Sequence, residues 1–315
     1  MDREQEERRF LGFFGIVKES IKLIFTWRKT FSQIALAFVL PLSLIGLANI
    51  HLYAALLAKI HNYDAPEYNE LSDFVTLDRI QLLLFIVSSS VLLLIISVLS
   101  ISAVVGTTAC LYTSKSITFG GVMRVLPKAW KRLMTTTLWS SLAVEVYVVA
   151  TVAIFYPFSL IPSLAIVLAL LFIFLILYLS GLVYISVISD LAGVISVVED
   201  VYGIDAMFKS KNLIKGKLGI SIAISFLLSI VSMAIQTVFY IFVTNGHGSV
   251  FRRFGVAILC FLFLFMSFLF SPVVQTVFYF VCKSYHRENI DKSPLEDDLE
   301  VHLLAEYLPP KADEV

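Results

Sequence analysis

The chain predicts an all-α polytopic membrane bundle of six spans with basic interfacial helices, on three observations. Hydrophobic residues fill 58% of the 315 positions and charged residues only 15%, with a mean hydropathy of +0.88, a balance foreign to soluble domains. Six apolar runs each exceed the roughly 20 residues a helix needs to cross a bilayer. All but four of the 24 basic residues fall on one side when the runs are threaded alternately, the four being Lys59, Arg79, Arg252 and Arg253. Positive charge resists translocation, so both termini are expected in the cytosol.

Residues 1–30 read as a cytosolic tail and an interfacial amphipathic helix. In Phe10 to Lys29, a polar stripe of Lys18, Lys22, Thr26 and Lys29 is flanked by Phe13, Val17, Ile21, Ile24 and Trp27. This charged opening is expected to hold no cleaved signal peptide. Residues 31–282 read as the membrane domain. The first span is expected over Phe31 to Ala58, kinked at Pro41, and a polar loop over His61 to Asp78 leads to a long second span, Ile80 to Tyr112. A cytosolic basic helix over 113–132 follows, bent at Pro127, with Phe119, Met123, Leu126 and Trp130 in one stripe and Arg124, Lys128 and Lys131 in another.

The third span is expected over Leu133 to Phe155 and the fourth over Ser163 to Ser189, joined by a turn carrying Pro157 and Pro162. Residues 194–217 then turn from acidic to basic and are too polar to span. As one surface helix, they place the small residues Gly203, Ala206 and Ser210, with Leu213, on the packing face, and Asp205, Lys209 and Asn212 opposite. Ile204 and Phe208 fit neither face and are expected to touch lipid, a partner or a loop. The fifth span follows over Leu218 to Val243 and the sixth over Phe254 to Cys282. The basic segment before each odd-numbered span allows two readings: three repeated units of interfacial helix plus hairpin, or merely the positive-inside bias.

The tail, residues 283–315, carries a capping box at Ser293-Pro294-Leu295-Glu296 and a short acidic helix with Leu295, Leu299, Leu303 and Tyr307 in register. Either the chain's own basic helices or a soluble cytosolic protein would cover that stripe.

The ionisable residue that stands out at bilayer depth is Glu145. It reads either as a titrating relay in a carrier or as a hydrogen-bonded staple between helices, with Ser88 to Ser90, Ser102 or Gln236 as partners. Lys128, Lys131, Arg132, Lys209, Lys211, Lys215 and Lys217 are the candidates for contact with anionic headgroups, against the plain positive-inside requirement. Cys282, beside Lys283 at the membrane edge, is the candidate for palmitoylation, whereas Cys110 and Cys260 read as packing residues. The five histidines are scattered without metal-ligand spacing. No phosphate loop or nucleophile elbow occurs, so no catalytic residue, metal or cofactor is expected. Equal numbers of basic and acidic residues, 24 each, leave no footprint for direct nucleic-acid binding.

The stretches VVEDVYGIDAMFKSKNLIKGK, LPKAWKRL and VFYFVCKSYHRENID resemble a family of uncharacterised six-span plant integral membrane proteins, some of them labelled as binders of a poly(A)-binding protein. Glu199, Gly203, Ser210, Lys215 and Gly216 are arranged similarly to positions in the membrane domain of bacterial glycerophosphodiester phosphodiesterases, whose catalytic domain has no counterpart here. The resemblance implies the six-span architecture, and the phosphodiesterase activity is not carried over with it. The resulting expectation is a non-enzymatic organiser or adaptor of the endomembrane system or plasma membrane, meeting lipid headgroups or, through its C-terminal helix, a cytosolic protein. A small-molecule or proton-coupled carrier using Glu145 is the alternative.

Overall fold

The computed structural model describes residues 11–63, 72–112, 119–157, 164–246 and 249–286. Among these, every regular element is helical. Helix α1 is Phe13–Thr26 and α2 is Arg28–Ile34; a π turn at Ala35–Val39 leads into α3, Leu40–Tyr63. The wide turn falls where the sequence predicts a kink. Pro41 has no N–H for the carbonyl one turn back, and the backbone just ahead of it opens so that the Leu40 N–H bonds to the Ala35 carbonyl.

The remaining helices are α4 (Ser72–Tyr112), α5 (Phe119–Phe155), α6 (Leu164–Val198), α7 (Ile204–Leu213), α8 (Leu218–Phe239) and α9 (Val250–Tyr285). A π turn at Tyr240–Thr244 closes the stretch begun by α8. Among the described residues, six helical stretches are long and apolar enough to cross a membrane: Arg28–Leu57, Ile80–Tyr112, Leu126–Phe155, Leu170–Val198, Leu218–Thr244 and Val250–Tyr285. The protein is an integral membrane protein of all-α class.

Three expected elements differ, the first being the polar loop over His61 to Asp78: α3 runs on to Tyr63 and α4 already begins at Ser72. The basic segment expected over 113–132 is not a helix apart from the third span, because α5 runs unbroken from Phe119 to Phe155 with Pro127 inside it. Pro127 leaves one carbonyl without an intrahelical donor, but Lys131-Arg132-Leu133-Met134 are all strong helix formers and nothing there stops propagation. The segment expected as one helix over 194–217 is instead divided. Helix α6 continues to Val198, the chain turns through 199–203, and α7 begins at Ile204. Gly203 makes that turn with φ of +68°, in the left-handed region where a Cβ is strained.

By contact, the chain divides into two compact units. The first comprises Met1–Trp27, Ser102–Leu227 and Pro272–Val315. Its core holds Val104, Val105, Val187, Ile195, Val273 and Val277, all sealed from solvent, and Tyr112 stacks on Phe280 with ring centroids 4.8 Å apart. Buried hydroxyls turn back on their own helices: Thr107, Thr108 and Thr276 each donate to the carbonyl four residues earlier, at 2.7 Å. In the α5–α6 pair, the Tyr147 ring stacks on Tyr178 and its hydroxyl lies 3.3 Å from the carbonyls of Leu177 and Tyr178. A Cβ at Gly181 would collide with that hydroxyl oxygen, so any larger residue there would oblige the Tyr147 side chain to shift.

The second unit comprises Arg28–Ile101 and Leu228–Ser271. Leu47, Phe239, Cys260 and Leu264 form its buried cluster, with Ile50, Ile235 and Phe268 packed around them. The Arg253 guanidinium donates to the Val243 carbonyl from Nε at 2.9 Å and Nη2 at 2.5 Å. It supplies the donor that a helix end lacks, and its charge suits the negative end of the helix dipole.

Candidate functional site

The densest polar chemistry of the first unit gathers where α6 ends. The Glu199 N–H closes the last turn on the Ile195 carbonyl at 2.7 Å, which leaves a carboxylate at the negative end of a helix dipole, where an anion is disfavoured. Its side chain is only 8% exposed. Such a buried charge must be matched by partners, and three converge from two other helices. From α7, the Lys209 ammonium donates to Oε2 at 2.5 Å. From α9, the Tyr279 hydroxyl donates to Oε1 at 2.5 Å and the Lys283 ammonium lies 3.4 Å from the same oxygen. Burial alone would push the carboxyl pKa up; the Lys209 and Tyr279 hydrogen bonds and the Lys283 charge outweigh it and hold the group below its ordinary value.

A second layer fixes the turn itself. Arg132 of α5 pairs with Asp200 and reaches the Glu199 carbonyl through Nη1 at 3.4 Å. The Gly203 N–H donates to the Thr136 hydroxyl oxygen at 2.8 Å. Farther along α7, the buried Ser210 hydroxyl donates to the Ile188 carbonyl of α6 at 2.8 Å. Beyond α7, His286 Nε2 lies 3.1 Å from the Leu213 carbonyl and 3.2 Å from that of Lys215; both are acceptors, so this nitrogen carries the proton. Both Glu199 oxygens are engaged, and the cluster ties three helices together.

A pocket of about 590 Å³ lies beside this cluster, lined by Pro127, Lys128, Lys131, Arg132, Thr135 and Tyr202. Farther along α5 is an apolar groove of about 400 Å³ between α5 and α7.

The family model described as Domain of unknown function (DUF8558) matches residues 1–315. The chain belongs to the DUF8558 family. No curated protein and no solved structure matches it.

The DUF8558 fold sorts the basic residues singled out from sequence into two groups. Lys128, Lys131, Lys211 and Lys215 are exposed, Lys215 donating to Asn212 at 2.9 Å. Arg132 and Lys209 are committed to Asp200 and Glu199. Lys217 donates to the Leu11 carbonyl at 3.3 Å and lies over the Tyr285 ring, and burial holds its pKa below the usual lysine value. The charged ends of Arg132, Lys209 and Lys217 thus serve contacts within the chain. Cys282, the lipidation candidate, lies in the same core. It is fully buried because Val281, Cys282 and Lys283 all face the core, and acyl transfer to its sulfur would require the packed helices to part.

Glu145 is exposed on α5 and makes no hydrogen bond or ion pair among the described residues, so the expected staple is not formed there. The acidic segment from Ser293 onward lies outside the described residues, as do the first ten. Sequence reasoning missed Tyr279, Lys283 and the Asp190–Ser225 pair, whose oxygens lie 2.8 Å apart. The i, i+4 spacing of Tyr279 and Lys283 at a span's end was their available signal, whereas nothing local connects either with Glu199.

Proposed function

We propose that this DUF8558 protein is a non-enzymatic membrane organiser whose basic face, on the cytosolic side together with both termini, gathers anionic lipid headgroups. The observation that carries this reading is the division of cations within the first unit. Arg132, Lys209 and Lys217 turn inward, while Lys128, Lys131, Lys211 and Lys215 are exposed at the surface. Near an anionic leaflet each such residue contributes roughly 1 kcal/mol of attraction. An endomembrane or plasma-membrane site, and a cytosolic protein docked on the segment after Lys292, complete the proposal. The carrier alternative gains no support from Glu145, which is exposed rather than set into a polar path.

The test is the lipid that stays with the purified full-length chain. Extracted from vesicles of equal phosphatidylserine and phosphatidylcholine, the protein is expected to retain an excess of phosphatidylserine, and the combined Lys128→Gln, Lys131→Gln, Lys211→Gln and Lys215→Gln variant to retain the two equally. Equal retention by the unaltered chain would overturn the reading.

A further inference from the structure

One enclosed carboxyl takes no part in the Glu199 cluster. Asp190 lies in α6, inside the fourth span, about 13 Å along the helix before Glu199. The Ser225 hydroxyl of α8 lies 2.8 Å from its Oδ2. Two short polar stripes meet at this pair. On α6, Ser186, Ser189, Asp190 and Gly193 fall at i, i+3, i+4 and i+7; on α8, Ser221 and Ser225 are one turn apart and both buried. The Ser189 hydroxyl is enclosed as well, with no hydrogen-bond partner among the described residues. Asp190 also marks a boundary along α6. Tyr184 and Ser186 before it are exposed, whereas Leu191, Ala192, Val194 and Ile195 after it are sealed in the core of the first unit.

The basic groups of the surrounding helices are engaged elsewhere. Arg132 of α5 pairs with Asp200, Lys209 of α7 and Lys283 of α9 with Glu199, and Lys217, just ahead of α8, donates to the Leu11 carbonyl. A single neutral hydroxyl, that of Ser225, is the side-chain partner of Asp190 among the described residues. One such bond does not offset the removal of a full negative charge from water, and an ionisable group within a span marks a site when it faces the protein interior. Two occupants could cancel the charge: a proton or a metal cation. A divalent ion takes six or more oxygens, and no group of three acidic, histidine or cysteine side chains gathers to hold a metal among the described residues. A proton needs only the carboxyl itself, and the resulting O–H can donate to the hydroxyl that otherwise donates to it.

We propose that Asp190 is a proton-binding site, linked through Ser225 to α8. The bound proton leaves the link between α6 and α8 without net charge. Its release to water leaves a carboxylate that the link holds only by admitting solvent, so occupancy of the site and closure of these two helices go together. The site is independent of the headgroup reading above, and neither depends on the other.

The test uses the full-length protein in phosphatidylcholine nanodiscs, carrying Glu145→Gln so that the exposed carboxyl on α5 does not contribute. At near-neutral pH it would be treated with dicyclohexylcarbodiimide, an apolar reagent that captures protonated carboxyls, and followed in parallel by the infrared C=O stretch of a protonated acid. Peptide mapping is expected to place the adduct on Asp190, several-fold above the surface residues Asp200 and Asp205. The protonated-acid band should vanish in Asp190→Asn and persist in Asp190→Glu. Ser225→Ala, which removes the hydroxyl and keeps the acid, should shift the frequency of the band without abolishing it. Should Asp190→Asn fold poorly, the adduct on the chain that retains Asp190 decides the matter. Asp190 left unmodified while Asp200 and Asp205 react overturns the proposal. So does protection of Asp190 by added sodium at constant pH with no protonated-acid band, which would give the site to a metal cation instead.

Discussion

Glu199 and Glu145 are the same residue type in opposite circumstances. Glu199 is enclosed and held by Lys209, Tyr279 and Lys283; Glu145 is exposed. Removing one member of a buried charge cluster leaves the others uncompensated, so Glu199→Ala is expected to destabilise the chain by about 3–5 kcal/mol, read as a lowered unfolding midpoint in detergent. Adding Lys283→Met should recover some of that loss by removing an orphaned ammonium. The acid response follows from the depressed carboxyl pKa. Glu199 contributes its stability fully above its unfolded value of 4.5 and loses it as pH falls through the lower folded value. The unfolding midpoint should therefore carry a Glu199-dependent drop only below about pH 4.5, absent from Glu199→Gln. Glu145→Leu should instead preserve or raise the midpoint, since it removes an ionisable group from a lipid-facing helix; a loss on the scale of Glu199→Ala would show that Glu145 has a partner after all.

At the scale of elements, α7 is positioned by what comes before it. Gly203→Ala would force a side chain into φ of +68° and place its Cβ 3.3 Å from the Trp139 ring, at a backbone cost of about 1–2 kcal/mol. Chemical denaturation should report a loss of at least that size, where a helical glycine replaced by alanine would gain stability. The face α7 presents was legible in the sequence: Ala206, Ser210 and Leu213 are buried, as helical spacing requires. The break before it was not, because VVEDVYG carries enough helical pattern to run on and the sign of a glycine's φ leaves no trace in composition. The six spans were legible since apolar length is a local property, and Leu218–Thr244 nearly coincides with the expected stretch. The Glu199 cluster escaped because its α9 partners lie 80 and 84 residues away, beyond the reach of any periodicity.

For the whole molecule, the proposal that both termini lie in the cytosol rests on six spans among the described residues and on the one-sided basic residues. Single cysteines introduced at Gln5 and Ala312 in a chain otherwise free of them should resist a membrane-impermeant maleimide in intact cells and react after permeabilisation. Labelling of either in intact cells would reverse the orientation. Proximity labelling from a tag after Val315 should recover a protein set that is lost when the chain is cut after Lys292. An unchanged background would remove the docked partner from the proposal without touching the lipid reading.

The reach of Glu199 across the sequence also has a temporal side. A ribosome adding about 5–20 residues per second makes Glu199 and Lys209 almost together, but the 80 residues to Tyr279 take roughly 4–16 seconds more. During that interval the carboxylate has one of its three partners. The nascent chain thus carries an incompletely matched charge until α9 emerges, and only a finished chain can close the cluster. A chain stopped short of Tyr279 leaves the Glu199 carboxylate with Lys209 alone of these three partners.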